Sequence, residues 1–212
     1  MQEMTSVRNK KRAEVVIKGL KSRQMTGYYA ETKEEALKIA LDLIPEGSSI
    51  GWGGSVSVAD IGLKDAVING NYNVLNRDAA KDKKEKREIE TKIFGCDYFL
   101  SSSNAVTEDG ILINLDGNSN RVAAIAYGPE HVIMVVGMNK IVEDVDEGIY
   151  RVRNTAAPIN SQRFDIKTPC KVNGCCANCK SPDSICCQLL ITRLERHPDR
   201  VHVILVNEDL GF

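Results

Sequence analysis

Residues Cys96–Gly137 read CDYFLSSSNAVTEDGILINLDGNSNRVAAIAYGPEHVIMVVG, and this stretch decides the fold. Short strand-like runs alternate in it with loops rich in acidic, amide and glycine residues. It closes on the apolar run Val132–Val136, bracketed by Gly128-Pro129 and Gly137. A continuous apolar run of that length predicts a central strand buried on both faces rather than an amphipathic helix. Loops that leave such strands are where an α/β protein gathers ligand groups.

Two of these loops carry most of the polar chemistry. Thr107-Glu108-Asp109-Gly110 separates SSSNAV from the apolar run Ile111–Leu115, and Gly110 can take the positive φ of a tight turn. Asn114, Asp116, Asn118, Asn120 and Arg121 then surround Gly117 with amide, carboxylate and guanidinium groups. Asn and Asp in turns often do no more than bond their own backbone. So many unlike polar groups beside buried strands nevertheless predict a ligand site. On this reading Glu108 or Asp109 handles a proton as the catalytic acid or base, and Arg121 balances negative charge. Asn114, Asp116, Asn118 and Asn120 supply further ligand contacts.

Upstream, Ser48–Trp52 predicts a strand that turns through Gly53, Gly54 and Ser55 into a segment starting near Val56. Adjacent glycines permit close backbone approach, Ser55 adds a hydroxyl, and the free N–H groups of a following helix favour an anion. A plain tight crossover would use the same glycines. The spacing is neither the dinucleotide GxGxxG fingerprint nor a P-loop, which requires a GK[ST] ending. Thr26–Ala30, Tyr72–Leu75 and Tyr98–Ser101 also predict strands, while Ser6–Ser22, the stretch from Thr32 to Pro45 and the charged run Ala79–Lys92 predict helices.

Downstream, Asp144–Asn154 predicts a helix, with Pro158 favouring a boundary. Arg151, Arg153 and Arg163, like Arg77, read either as surface ion pairs or as partners for carboxylate or phosphate. Leu189, Leu190 and Leu194 predict an amphipathic helix stopped by Pro198, and Val201–Val206 a final strand.

The sharpest chemical feature is TPCKVNGCCANCKSPDSICC, residues 168–187, which holds six of the seven cysteines. Cys96 stands apart and reads as a small core residue. Cys176 and Cys179 form a strict C-x-x-C pair, and Cys170 and Cys186 supply outer positions, giving C-x5-C-x2-C-x6-C. Four thiolates in that arrangement can hold zinc or an iron–sulfur cluster, although the spacing matches neither a double-knuckle ribbon nor the common ferredoxin run. Cys175 and Cys187 leave the choice of ligands open, and disulfides or unpaired thiols are the competing readings.

At 212 residues with 42% apolar content the chain can bury a large core as a single domain, residues 1–212, with the cysteine motif inside it. A formal charge of −1 and only 5% aromatic residues argue against a nucleic-acid partner. Neither a signal-like run nor a membrane-length apolar segment is present, so no membrane association and a cytoplasmic location are expected. The three histidines are scattered, which gives histidine catalysis little support.

NAVTEDGILINLDGNSNRVAAIAYGPEHVIMVVGMNKIV, followed by RNTAAPIN, the TPC at Thr168–Cys170 and the later cysteines, resembles the LUD-domain proteins. That family includes a lactate-utilization protein and many members without an assigned reaction. The likeness runs from about Thr5 to Asn207, and the TPC, CxxC and SPxxIC arrangement follows the family pattern. More distantly, Cys96-Asp97 and the Glu108–Gly117 loops echo the isomerase and CoA-transferase-like superfamily. The resemblance implies an α/β fold with a mainly parallel twisted sheet of that topology, ending in a cysteine-rich loop. It also implies a lactate-utilization type of metabolic enzyme or accessory binding a small anionic or phosphorylated metabolite. A noncatalytic redox partner or ligand sensor, working with a redox protein, and a structural interaction protein are the alternatives.

Overall fold

The computed structural model describes residues 2–212. The strands in chain order are β1 (Thr26–Ala30), β2 (Ser49–Trp52), β3 (Asn73–Leu75), β4 (Tyr98–Ser101), β5 (Ala105–Thr107), β6 (Leu112–Asp116), β7 (His131–Gly137), β8 (Ile141–Val142), β9 (Gln188–Thr192) and β10 (Val201–Val206). Six of them lie side by side in the order β1-β10-β7-β4-β2-β3, with every pairing parallel. The fold is thus α/β with a mainly parallel sheet, as the apolar run at Val132–Val136 requires.

Helices cover both faces of this sheet: α1 (Gln2–Ser22), α2 (Lys33–Asp42), α3 (Val56–Asp60), α4 (Leu63–Asn69), α5 (Lys83–Ile93) and α6 (Asn120–Ala126). Alternation along β7 divides the core. Val132, Met134 and Val136 join the layer holding Ala13, Val16 and Leu20 of α1 and Ile125 of α6. Ile133 and Val135 join the layer holding Ala36 and Ala40 of α2 and Leu63 of α4. Burial on both faces is why the strand reads as an unbroken apolar run. Helix starts follow local chemistry. The Thr32 hydroxyl accepts from Glu35 N, and the Asp82 carboxylate from Glu85 N, each satisfying a free N–H of the first turn.

A second sheet, ordered β8-β5-β6-β9, extends beyond the first. The chain crosses into it after β4 through Ser102-Ser103-Asn104. Here the structure corrects the expected helix at Leu189–Leu194. Gln188–Thr192 is instead an edge strand antiparallel to β6, with Leu189 paired to Leu115 and Ile191 to Ile113. Its side chains alternate, Leu190 packing on the core while Leu189 and Ile191 stay 41% and 40% exposed. That period of two, with β-branched Ile191 and Thr192, belongs to a strand.

The helix predicted over Asp144–Asn154 also departs from expectation. It runs on through α7 (Val145–Arg151), a π-helical turn (Val152–Ala156) and α8 (Ala157–Ser161). Pro158 cannot donate a backbone hydrogen bond, and the wider turn ahead of it keeps the helix from stopping. A short α9 (Pro169–Asn173) then leads into the cysteine loop.

Helix α1 lies directly on the Thr107–Gly110 turn. A Cβ at Gly19 would collide with the Asp109 backbone, and one at Gly110, whose φ is +86°, would collide with the backbone of Gly19 and Leu20. The Gly19→Ala variant is therefore expected to lose about 1–3 kcal/mol of stability through forced separation of helix and turn. Urea denaturation would measure this, and an unchanged midpoint would show that the two segments are not in such close contact.

Candidate functional site

The carboxyl ends of the parallel strands open into a cleft of about 540 Å³. Each contributing strand delivers residues just past its end. Gly54, Ser55 and Ser57 follow β2, Arg77 and Asp78 follow β3, and Ser102, Ser103 and Asn104 follow β4. Lys140 follows β7, and Gly211 and Phe212 follow β10. In open parallel sheets this is the end at which ligands bind. The far wall comes from Asp116–Arg121, with Arg163 and Ile185 at its rim.

The expected ligand residues meet here in part. Gly54, Ser55, Asp116, Asn118, Asn120 and Arg121 line the cleft. Gly53 lies behind it, where a Cβ would stand 3.2 Å from Arg121 Cγ, so its missing side chain makes room for the arginine stem. The Ser55 hydroxyl accepts from Val58 N at 3.3 Å and caps α3. Asn114 is fully buried away from the cleft, with neither amide atom partnered. Asn120 and Arg121 open α6 instead of sitting in a loop. Asp116 caps that helix, accepting from the backbone N–H groups of Arg121 and Val122 at 3.0 and 3.1 Å.

Glu108 and Asp109, the expected proton-transfer pair, are not brought to the cleft. Arg12 Nε of α1 donates to Glu108 Oε1 at 2.7 Å, and Arg23, just past the end of α1, is bonded to the Asp109 carboxylate. The Thr107 hydroxyl first, helped by Arg23, holds the Asp109 carboxyl below its usual range against the opposing effect of burial. Carboxylates committed in this way anchor α1 and are poorly placed to exchange protons with a ligand.

The cleft is cationic. Lys64, Arg77, Lys86, Arg121 and Arg163 line it against the carboxylates of Asp78 and Asp116. Asp116 is occupied by its cap, and Asp78 accepts from Trp52 Nε1 at 2.8 Å and Lys64 Nζ at 3.0 Å. Burial alone would raise the Asp78 pKa, but these donors and Arg77 hold it low. Arg77 also pairs with Glu90 at 2.8 Å. Arg121 Nη2 donates to Asn104 Oδ1 at 3.0 Å and to Leu115 O at 2.5 Å. Arg151, behind the cleft, donates to Asn104 O at 2.6 Å and Asn139 O at 3.2 Å. Burial lowers the pKa of both arginines, opposed by Asp116 and Asp209 respectively.

Lys140 is the functional group that the motif reading does not reach. Its side chain is 3% exposed, and Nζ donates to Ser57 Oγ at 2.8 Å and Ser102 Oγ at 3.1 Å. Burial first, then Arg151 and Arg121, bring its pKa down to about 7 against a weaker pull from Asp60. The sequence signal is slight: one lysine, beside Asn139, in the largely apolar VIMVVGMNKIV, just past the end of the central strand.

The six motif cysteines are free, as is Cys96, which is buried and whose thiol burial pushes up to about 11. Burial first, then the thiols of Cys170, Cys176, Cys179 and Cys187, likewise raise Cys186 to about 11. Among the described residues no three His, Cys, Asp or Glu side chains are spaced to hold a metal ion. The loop touches the cleft wall: Cys187 N donates to Asp116 O at 2.9 Å, and a Cβ at Gly117 would stand 3.0 Å from Ile185 Cα.

The LUD domain family model matches residues 13–206, and the chain belongs to that family. A crystal structure of a DUF162 family protein from Deinococcus radiodurans superposes over 94% of this chain and 98% of its own, with a TM-score of 0.54 at 16% identity. It shares the fold. A D-ribose-5-phosphate isomerase in complex with phospho-erythronic acid overlaps 52% of this chain and 53% of its own, with a TM-score of 0.36 at 20% identity. The delta subunit of eIF2B from Chaetomium thermophilum overlaps 56% of this chain and 50% of its own, with a TM-score of 0.37 at 13% identity. Likenesses this partial bear on neither substrate nor chemistry. Comparison with curated proteins gives no significant match. Among the described residues no helix is long and apolar enough to cross a membrane.

The buried lysine has a measurable consequence. Its folded-state pKa of about 7 lies below the ordinary 10.5, so between these values the unfolded chain binds more protons and stability rises with pH. Replacement by methionine (Lys140→Met) should abolish a rise of roughly 3–5 kcal/mol across that window and stabilise the protein at neutral pH. Parallel pH curves for the two proteins in urea denaturation would refute the assignment.

Proposed function

We propose that this chain is a metabolic enzyme or accessory of the lactate-utilization type, binding a small organic anion, a carboxylate or a phosphate ester, in the cleft. The observation that carries the reading is the excess of cationic side chains over carboxylates among the lining residues, with both carboxylates already engaged. Ser55, Ser102 and Ser103 add hydroxyls at the strand ends, and Asn118 and Asn120 add amides on the opposite wall. Such a site holds an anion by several weak charge-assisted bonds converging from different strands.

Lys86 and Arg163 test this best, because they line the cleft without the buried bonds of Arg121. Calorimetric titration with pyruvate, lactate, inorganic phosphate and a sugar phosphate should find one class bound. Charge reversal at either residue (Lys86→Glu, Arg163→Glu) should weaken that binding about tenfold with folding intact. Binding that is indifferent to both reversals, or absent for every anion, would overturn the proposal.

The second reading, a ligand sensor or redox accessory, is favoured by the six cysteines of residues 168–187, four of whose thiols act on Cys186, and by the bond from Cys187 to the cleft wall. As placed, the sulfurs do not form a coordination shell. If Cys170, Cys176, Cys179 and Cys186 hold zinc or an iron–sulfur cluster, binding must draw them together and order the loop. Metal analysis of anaerobic preparations should then show loss of metal in Cys176→Ser and retention in Cys175→Ser. The reverse pattern would remove this ligand set, and metal-free wild type would leave thiol chemistry alone.

A further inference from the structure

We propose that Lys140 is the nucleophile of the cleft, its amine condensing with the carbonyl carbon of an anionic oxo compound to form an imine. The substrate class is an α-oxo acid or a phosphorylated aldehyde or ketone. This deepens, and rests on, the reading of the cleft as an anion site.

Four observations converge on the amine. It sits past the carboxyl end of the central strand, on the wall of the cleft and out of bulk water. Its bonds are to the hydroxyls of Ser57 and Ser102, and the Asp60 carboxylate acts on it only through space. Hydroxyls can accept from a neutral amine as readily as from an ammonium, so nothing in this shell demands the charged form. Gly211 packs closely against it, where a Cβ would stand 3.3 Å from Nζ and 2.9 Å from Ser57 Oγ, so the approach to the amine is from the cleft that Lys140 lines.

A lysine that merely tied two serines together would be a poor structural choice. Buried without an ion-pair partner and near two guanidiniums, it disfavours its own charge and weakens the fold. What such a site provides is a free amine at neutral pH, the condition for lysine to act as a nucleophile. The amine lone pair adds to the carbonyl carbon. The two amine hydrogens then leave with the carbonyl oxygen as one water, and C=N replaces C=O without any oxidant or reductant. Ser57 and Ser102, both hydrogen-bonded to Nζ, are placed to relay protons to the departing oxygen. Cations such as Lys86 and Arg163 hold the carboxylate or phosphate at the other end of the substrate.

The test uses the full chain, pyruvate and pyridoxal 5′-phosphate as separate probes, and sodium cyanoborohydride to trap any imine. Peptide mass mapping at neutral pH should place a reduced adduct on Lys140 at least ~10-fold faster than on any exposed lysine, because far more of its amine is uncharged. The two probes separate carboxylate from phosphate recognition. Lys140→Arg, checked for folding by circular dichroism, should lose the fast adduct and leave the slow surface labelling unchanged. Phosphate titration of the same preparation tells the two proposals apart. Phosphate binding that is sensitive to Lys86→Glu, with labelling spread over surface lysines and none at Lys140, would overturn the nucleophile and leave the anion site standing. Fast trapping at Lys140 without any anion binding would do the opposite.

Discussion

Two partly buried guanidiniums make their hydrogen bonds to carbonyl oxygens, with Arg121 Nε standing 3.9 Å from the Asp116 carboxylate, and the character of the cleft follows from this. Arg121 donates to the Asn104 side chain and Leu115 O, and Arg151 to the Asn104 and Asn139 carbonyls. Carbonyls satisfy the donors and avoid the penalty of an unmade hydrogen bond, but the positive charge remains. Its effect is visible at Lys140, whose pKa both arginines help to depress after burial itself. Asn104 is common to both, and its Oδ1 also accepts from Leu115 N at 2.9 Å. One amide at the crossing between the sheets therefore fixes the main sheet, the small sheet and the charge of the cleft together.

Topology brings the rest to the same place. In a parallel sheet every strand ends on the same side, so β2, β3, β4, β7 and β10 each deliver a loop to one edge although their sequences are far apart. Serines follow two of these ends, an arginine-aspartate pair a third and the lysine a fourth. Polar residues are tolerated there because the apolar layers on both sheet faces already supply the core. Family membership fixes this frame, while the chemistry rests on the side chains at its edge.

What the sequence made legible follows from how far each signal reaches. Val132–Val136, Tyr98–Ser101 and Val201–Val206 are apolar on both faces, so their burial is written into their own residues. Leu189–Thr192 is not, because its strand identity depends on pairing with β6 from across the chain, and leucines at its spacing also suit a helix face. Glu108 and Asp109 show the same limit at the site. Their turn is recognisable locally, but Arg12 and Arg23, which take up their charge, lie almost a hundred residues away. Gly54, Ser55 and residues 117–119 were legible as strand-end loops, while Asn120 and Arg121 open α6. Lys140 was not, since nothing adjacent in sequence says that Ser57 of α3, Ser102 past the end of β4 and two distant arginines will enclose it.

The cysteine loop and the cleft are mechanically one unit. Asp116 accepts from Cys187 N through its carbonyl and from two α6 backbone amides through its carboxylate, so it is clamped between the loop and the helix. The first of those amides belongs to Arg121, whose guanidinium returns to Leu115 O, next to Asp116 in β6. Gly117, packed against Ile185, leaves no slack for a side chain between loop and wall. A movement of the loop at Cys187 would be felt at Asp116, and a shift of Asp116 would disturb the cap of α6 and the seat of Arg121. The cysteine loop and the cleft wall are thus joined by a short chain of hydrogen bonds, so the two proposed readings, an anion site and a thiol loop, share one structural element.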